Sequence, residues 1–299
     1  MAETVSVPDT SNGPSVLMTA FASAESATAR REGEDEAARR AYVAAARGAA
    51  WRRRLLPAGA ALLIVALWQA GVTWWHIRPF IAPAPSAVLG VLYAKFGLLM
   101  ANLAPTAFEA LLGFVIGNAL GILTATLFVH VRIAEEAFFP IAVMVHTIPV
   151  MAYAPILVLL LGNGLSAKVA IAALICYFPT LVNMTRGLRA VSPAQMELMR
   201  ILSATPAEVF FKLRLRCALP YLFSALKIAA ATSVIGAIVG EWIGATTGIG
   251  ALIIQATYNF DSPLLYATIV VGSLFSIAFF GVISWAETRF LKWNQTYAG

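Results

Sequence analysis

Residues 191–220, VSPAQMELMRILSATPAEVFFKLRLRCALP, decide how the rest of the chain is arranged. This segment lies between two long apolar runs, and charged side chains are unfavourable in the hydrocarbon of a bilayer. We therefore expect it to lie in water, between two hydrophobic crossings. Its charged residues are Glu197, Arg200, Glu208, Lys212, Arg214 and Arg216.

The same segment has the sequence pattern of two short helices. Ser192 is an expected N-cap with Pro193 in the first turn, and Thr205 with Glu208 has the spacing of a capping box. A short amphipathic helix between two spans is suited to press its apolar face into a groove on another protein. An ordinary connecting loop is the alternative that spacing alone leaves open. The expected apolar stripe consists of Met196, Met199, Ile201 and Leu202.

The composition indicates an integral membrane protein built of helices. Hydrophobic residues make up 60% of the 299 and charged residues 12%, whereas a soluble domain has about 25% charged residues. We therefore read the net charge of +6 as a signal of membrane orientation rather than of nucleic-acid binding. Cys176 and Cys217 are isolated, so both are interpreted as small buried side chains and no metal site is predicted.

Six apolar runs are each long enough to cross a hydrocarbon core, which needs about 20 helical residues. With both termini on one side, 18 of the 21 Lys and Arg residues fall inside, which predicts cytoplasmic termini and a cytoplasmic 191–220 segment. We predict a partly disordered cytoplasmic tail over 1–50 and a transmembrane domain over 51–299. The expected spans are 55–75, 105–130, 137–160, 168–186, 219–243 and 264–287.

Small residues and prolines within these runs predict how the spans pack and bend. Prolines 140, 149 and 155 are expected to kink the third span. Glycines that recur every fourth residue form strips where another helix can approach closely, and for the first series the partner helix can belong to the same chain or to another subunit. The glycines are Gly113, Gly117 and Gly121 in one series, and Gly236, Gly240, Gly244 and Gly248 in the other.

Five polar residues in the spans are candidates for the substrate pathway or for gating. Glu109 and Glu241 are expected near the outer ends of the second and fifth spans, where each carboxylate can contact substrate or simply face water. His146, Tyr153 and Asn118 lie among apolar neighbours and need partners wherever they are buried. Hydrogen bonding between helices is the first interpretation for these three, and lining the pathway is the alternative.

Residues 191–220 resemble the EAA loop of ATP-binding-cassette importer permeases. Glu197 begins the EAA position, and Ser203 stands where that family has a Gly. Further segments are similar, in order and spacing, to permeases that import nitrate, sulfonates, taurine and pyrimidine precursors, over roughly residues 55–290. They are IAPAPSAVL at 81–89, LLGFVIGNALGI at 111–122, HTIPVMAYAPILVLLLGNG at 146–164, FPTLVNMTRGLRAVSP at 178–193 and AIVGEWIGATTGIGALI at 237–253.

The resemblance implies a six-helix type I importer permease of the bacterial inner membrane. It implies three kinds of partner: a second permease copy, two ATPase subunits that hold ATP and Mg²⁺, and an external solute-binding protein. It also implies a substrate that is a small anion or a small nitrogen heterocycle. Glu197 is then expected to meet a basic group on the ATPase, and the remaining contact residues are Met196, Met199, Arg200 and Ser203.

Sequence motifs of enzymes are missing from the chain. There is no GxSxG elbow, HExxH helix or paired Cys/His spacing, and GNGLSAK at 162–168 lacks the residue order of a phosphate-binding loop. We therefore predict no catalytic residue and no ATP site in this chain. The competing class is a secondary transporter driven by an ion gradient, but the chain shows no evident inverted repeat and no acid deep in a span for ion coupling.

Overall fold

The computed structural model describes Tyr42, Arg52 and residues 55–291. The predicted tail over 1–50 lies, except for Tyr42, outside these described residues. The chain divides into two compact units, Met1–Trp68 and Gln69–Gly299. The described part of the first unit is mainly the beginning of helix α1, Leu55–Trp74, an apolar helix with its side chains exposed.

The second unit contains the end of α1 and all the helices that follow. Every regular element among the described residues is helical, which agrees with the predicted all-α class. A π-helical turn, Val209–Arg214, joins α8 to α9, so that Pro206–Glu241 forms a single 36-residue helix. After α1 the helices are α2 Pro85–Ala94, α3 Phe96–His130, α4 Arg132–Thr147, α5 Val150–Leu161, α6 Leu165–Arg189, α7 Pro193–Ile201, α8 Pro206–Glu208, α9 Leu215–Glu241, α10 Ile249–Tyr258 and α11 Ser262–Phe290.

Five helices are individually long and apolar enough to cross a membrane, and the pair α4–α5 makes a sixth span if it is counted as one. The predicted architecture of six transmembrane helices is therefore confirmed. The single kinked span expected over 137–160 is instead two helices bent by 102°. The break falls at Ile148–Pro149 because Pro149 lacks an N–H and drives the preceding residue out of the helical region; Ile148 has φ −70° and ψ 125°.

Helix α6 packs against both α3 and α9 along much of its length. Glycines on α3 and α9 permit this approach: a Cβ added to Gly117 would lie 2.3 Å from the carbonyl oxygen of Ala173, and one on Gly236 would lie 2.7 Å from the Cα of Ala172. The first glycine series, including Gly113 and Gly121, thus faces a helix of the same chain.

The second glycine series is shorter than the sequence predicts. Gly236 and Gly240 contact α6, but α9 ends at Glu241, so Gly244 and Gly248 lie beyond the helix with φ of 74° and 117°. These two glycines serve turns with positive φ, where a side chain is strained. The expected packing strip therefore stops at Gly240.

Replacing Gly117 by Ala is expected to lower the free energy of unfolding by about 1–3 kcal/mol, because the new methyl group would force the backbones of α3 and α6 apart. The matched control is Gly90→Ala in α2, where an added Cβ meets no atom within 4 Å; it should be neutral or stabilise by up to about 1 kcal/mol. Thermal unfolding of the purified protein in detergent measures both. Equal melting temperatures for the two variants would contradict the close-packing interpretation.

The sequence did not predict helix α10. Its 10 residues are too few to span a bilayer, and the glycines before it suggested only a loop. In the structure α10 packs into an apolar cluster with α2, α3 and α11, to which Ile249 and Leu252 contribute buried side chains. This short helix brings its first residues to the end of α9, where Glu241 lies.

Candidate functional site

The coupling segment, defined as residues 191–220, begins with the two helix starts that the sequence predicts. The Ser192 hydroxyl accepts a hydrogen bond from the Gln195 amide at 3.3 Å, and the Gln195 side chain reaches back to the Ser192 amide at 3.1 Å. Thr205 and Glu208 form a second reciprocal pair of the same kind. Both starts are confirmed, although Gln195 was not recognised as the second half of its capping box.

Ser203 forms the turn between α7 and α8 in a left-handed conformation, with φ of 51°. Its amide donates to the Arg200 carbonyl at 2.9 Å, and the next amide, of Ala204, donates to the Met199 carbonyl at 3.0 Å. A residue with a Cβ adopts this conformation at a cost of about 1–2 kcal/mol. The turn is therefore formed here by a serine, at the position where the EAA loop that this segment resembles has a Gly.

The exposed apolar face of α7 differs from the predicted stripe. Leu198, Ile201 and Leu202 are 56%, 75% and 66% exposed, and their spacing places them on one helix face. The predicted contact residues Met196 and Met199 are half-buried instead. The leucines and Ile201 therefore offer more contact surface than the two methionines do.

Two charged residues accompany this apolar face. Glu197 and Arg200 are both exposed, and within the described part of the chain neither side chain has an ion pair or a hydrogen bond. Most other acidic side chains of the described residues are paired, as Glu208 is with Lys212 at 2.7 Å. Glu197 is thus free to pair with a group on another protein.

A buried polar cluster lies at the other end of α9. Glu241 is 1% exposed and accepts hydrogen bonds from the Thr106 hydroxyl and the Gly250 amide, both at 2.6 Å. Glu109 is 4% exposed and forms an ion pair with Lys168 at 2.8 Å. The structure thus brings the two predicted acids to neighbouring helices, together with Thr106 and Lys168, which the sequence had not singled out.

The cluster holds the first turn of α10. Besides the bond from Gly250 to Glu241, the Ile249 amide donates to Thr106 at 2.8 Å, and the Gly248 amide donates to Asn102 at 3.0 Å. These are the amides that a helix leaves without internal partners, and a carboxylate there also faces the positive end of the helix dipole. Gly248 is required because a Cβ would lie 2.0 Å from the Glu241 carboxylate.

The opposite end of α10 is also fixed by a charged pair. Lys95 contacts Asp261 at 2.9 Å, and Asp261 accepts from the Leu264 amide at 3.1 Å to cap α11. Partial burial raises the pKa of Asp261, but the hydrogen bonds from Lys95 and from the Leu264 amide outweigh this, so that its pKa lies below the ordinary value. The first turn of α10 is therefore anchored to α3 and α9, and the turn after its last residue is anchored to Lys95, which lies between α2 and α3.

The remaining candidates fall in two places. Asn118 accepts from the Thr180 hydroxyl at 2.5 Å and so joins α3 to α6, a hydrogen bond between helices. His146 and Tyr153 lie on either side of the α4–α5 break and line a common cavity of about 530 Å³. Whether any of these residues contacts substrate stays a prediction.

These features define the class of the protein. It is a multi-pass membrane protein with up to six spans, whose charged helical segment between two of those spans presents an unpaired acid and an exposed apolar face. A family model described as "Binding-protein-dependent transport system inner membrane component" matches residues 117–292, and the chain belongs to this family.

Individual relatives agree with this assignment. The chain is 33% identical over 229 residues to a probable ABC transporter permease protein of Haemophilus influenzae, covering 77% of this chain and 94% of the relative. It is 32% identical over 235 residues to a formylaminopyrimidine transport permease of Halalkalibacterium halodurans, covering 78% and 94%. A chain in the crystal structure of an amino acid ABC transporter matches with a TM-score of 0.52 at 18% identity, over 67% of this chain and 97% of that one, and shows the shared fold.

The chain is therefore the permease of an ATP-binding-cassette importer, as the resemblance implied. It is a transport component rather than an enzyme, and its family implies ATPase and solute-binding protein partners. The fold is that of type I importer permeases.

Proposed function

We propose that two copies of this chain form a translocation pathway and that two ATPase subunits bind the coupling segments from the cytosol. ATP and Mg²⁺ belong to the ATPases, and this chain has no nucleotide site of its own. An external solute-binding protein delivers the substrate. The observation that carries the proposal is the surface of α7, where unpaired Glu197 accompanies the exposed Leu198, Ile201 and Leu202.

This surface has the chemistry of a helix that docks into a groove. The three apolar side chains supply area that is removed from water on binding, and Glu197 and Arg200 give the docked helix its orientation through charge complementarity. A basic group on the ATPase opposite Glu197 fits this arrangement. Because Glu197 and Arg200 have no partner among the described residues, docking breaks no ion pair within that part of the permease.

The continuous helix from Pro206 to Glu241 supports a mechanism for coupling. Its first turns, from Pro206 to Pro220, belong to the coupling segment, and its last residue, Glu241, belongs to the buried cluster that holds α10. Movement of the coupling segment by the ATPases therefore acts on a single rigid element that packs along α6. Rigid-body rocking of this element between inward-open and outward-open states is a switch of the usual kind.

The substrate is a small anion or a small nitrogen heterocycle, and the likeness to a formylaminopyrimidine permease supports the heterocycle. The distribution of Lys and Arg supports a cytoplasmic position for both termini and for the coupling segment.

The decisive experiment is uptake into proteoliposomes that contain this permease with its ATPase, supplied with the solute-binding protein. Uptake should require ATP on the side of the membrane where the ATPase lies. It should continue after ionophores remove the ion gradients. Uptake that survives ATP depletion but stops when the gradients collapse would instead identify a secondary transporter.

Substitution of Ser203 tests the turn within the coupling segment. Ser203→Val places a β-branched residue at positive φ, so we expect added strain of about 1–3 kcal/mol in this turn and a clear loss of ATPase that copurifies with the permease. Ser203→Gly is the matched variant, since Gly adopts the same φ without strain, and it should retain the ATPase fully. Equal retention of ATPase by the two variants would show that the turn does not control docking.

A further inference from the structure

A cavity of about 530 Å³ lies where α4 meets α5, with residues of α6 and α9 completing its wall. This volume falls within the range of about 300–1,000 Å³ that is usual for small-molecule sites. Its wall is mainly aliphatic and aromatic. Among the described residues that line it there is no Asp, Glu, Lys or Arg.

The break in the chain at Pro149 creates this cavity. The axes of α4 and α5 diverge by 102° at this break, and residues of both helices line the cavity. His146 lies in the last turn of α4 and Tyr153 in the first turns of α5, so that the bend places both side chains at the same opening.

The cavity wall contains a stacked aromatic pair. The His146 ring stacks on the Phe178 ring with centroids 4.0 Å apart and planes 13° from parallel. Each ring covers one face of the other, so the ring edges, including the nitrogens of His146, are the parts that meet a ligand, and edge-to-face contact is a favoured geometry for aromatic rings. Phe178 comes from α6, so the wall spans two helices rather than one.

Polar groups in the cavity have bonding capacity left over. Neither the ring nitrogens of His146 nor the hydroxyl of Tyr153 has a hydrogen-bond partner within residues 55–291. The two lining threonines differ, because Thr147 and Thr232 donate to carbonyls of their own helices at 2.7 and 3.1 Å. Tyr177 also lines the cavity, and its hydroxyl likewise has no hydrogen-bond partner within residues 55–291. His146, Tyr153 and Tyr177 are therefore the groups in this wall that can select a ligand by hydrogen bonding.

We propose that this cavity is a substrate-binding site within the permease and that it takes a neutral, planar nitrogen heterocycle. The ligand ring would contact the edges of the stacked His146–Phe178 pair, and its heteroatoms would bond to the in-plane nitrogens of His146 and to the hydroxyl of Tyr153. A sulfonate or nitrate would find no Lys or Arg among the lining residues to balance its charge. A lipid acyl chain would leave the polar groups of His146 and Tyr153 without partners. The inference rests on the proposed function and narrows its substrate to one of the two classes.

The test uses the full-length permease bound to its ATPase in lipid nanodiscs, without the solute-binding protein. Equilibrium binding of a formylaminopyrimidine is compared with that of an aliphatic sulfonate. Saturable binding is expected for the pyrimidine alone. Phe178→Leu removes the aromatic ring but keeps apolar bulk, and it should weaken pyrimidine binding about tenfold, the loss of one aromatic contact.

Two further variants separate the contribution of aromatic contact to ligand binding from that of hydrogen bonding. His146→Phe preserves a flat ring and removes the nitrogens, and Tyr153→Phe removes one hydroxyl. Each should weaken binding several-fold, by about the contribution of one hydrogen bond. The matched control is Tyr93→Phe, which alters a tyrosine that is 90% exposed on α2 and outside the cavity wall. It should bind the pyrimidine as the wild type does.

The outcomes distinguish this inference from the proposed function. A complex that assembles and hydrolyses ATP but binds no pyrimidine, binds the sulfonate equally well or holds a copurified lipid in the cavity overturns only the inference about the cavity. Unchanged affinity in both Phe178→Leu and Tyr153→Phe overturns it as well. A wild-type permease that retains no ATPase overturns the proposed function and this inference together.

Discussion

Replacing Glu197 by Arg is expected to reduce ATP-driven uptake to less than about a tenth of the wild-type rate while membrane insertion stays normal. Reversing a charge at an interface juxtaposes like charges, which costs several kcal/mol, and about 1.4 kcal/mol already corresponds to a factor of ten. ATP hydrolysis by the ATPase should persist but no longer drive uptake. Hydrolysis and uptake are measured on the same proteoliposomes.

The matched control for this substitution is Glu136→Arg. Glu136 lies on α4, is well exposed and pairs only with Arg132 four residues earlier, an exposed contact that contributes little to stability. This variant should transport normally. Unchanged uptake in Glu197→Arg would count against docking through α7, and recovery of uptake by an acidic substitution in the ATPase would identify the basic group that Glu197 meets.

The second large effect is expected from Lys168→Met. This change leaves the carboxylate of Glu109 buried without its ammonium partner, and loss of one member of a buried ion pair lowers the free energy of unfolding by about 3–5 kcal/mol. The variant should be produced in low yield and unfold at a markedly lower temperature in detergent.

Adding Glu109→Gln to Lys168→Met removes the unpaired charge and should restore most of the lost stability. The matched control is Lys95→Met, because the side chains of Lys95 and Asp261 are 41% and 34% exposed; it should cost less than about 1 kcal/mol. Similar losses for Lys168→Met and Lys95→Met, or no recovery in the double variant, would disprove the role of the buried pair. A double-mutant cycle of Lys168→Met, Glu109→Gln and the double variant measures the coupling energy between the two side chains.

Several local features could be predicted from single stretches of sequence. Ser192 and Thr205 cap their helices as expected, because an N-cap depends on a few consecutive residues. The apolar runs mark the spans within a few residues at most ends. Proline 149 was expected to kink the third span, and the chain in fact breaks there into two helices.

Features that depend on how a helix is rotated about its axis were harder to predict from the sequence. The predicted contact stripe on α7 contained Met196 and Met199, but the helix turns these two side chains partly inward and presents Leu198 instead. With only 9 residues, α7 has too few apolar positions for its sequence to show which face packs against the rest of the protein. The charge of Glu197 was a better guide to the exposed side.

The sequence by itself determined that this is a helical membrane protein with a water-exposed segment between two spans, because insertion into a bilayer depends on the summed hydrophobicity and charge of local stretches. The tertiary structure alone decided that Lys168 pairs with Glu109, that Glu241 holds the first turn of α10, and that His146 meets Tyr153 in one cavity. Lys168 and Glu109 are 59 residues apart, and such contacts depend on the depth and rotation at which whole helices pack. The depth and rotation of each helix are set by close contacts between helices, such as that of Gly117 with Ala173, and not by any one stretch of the chain.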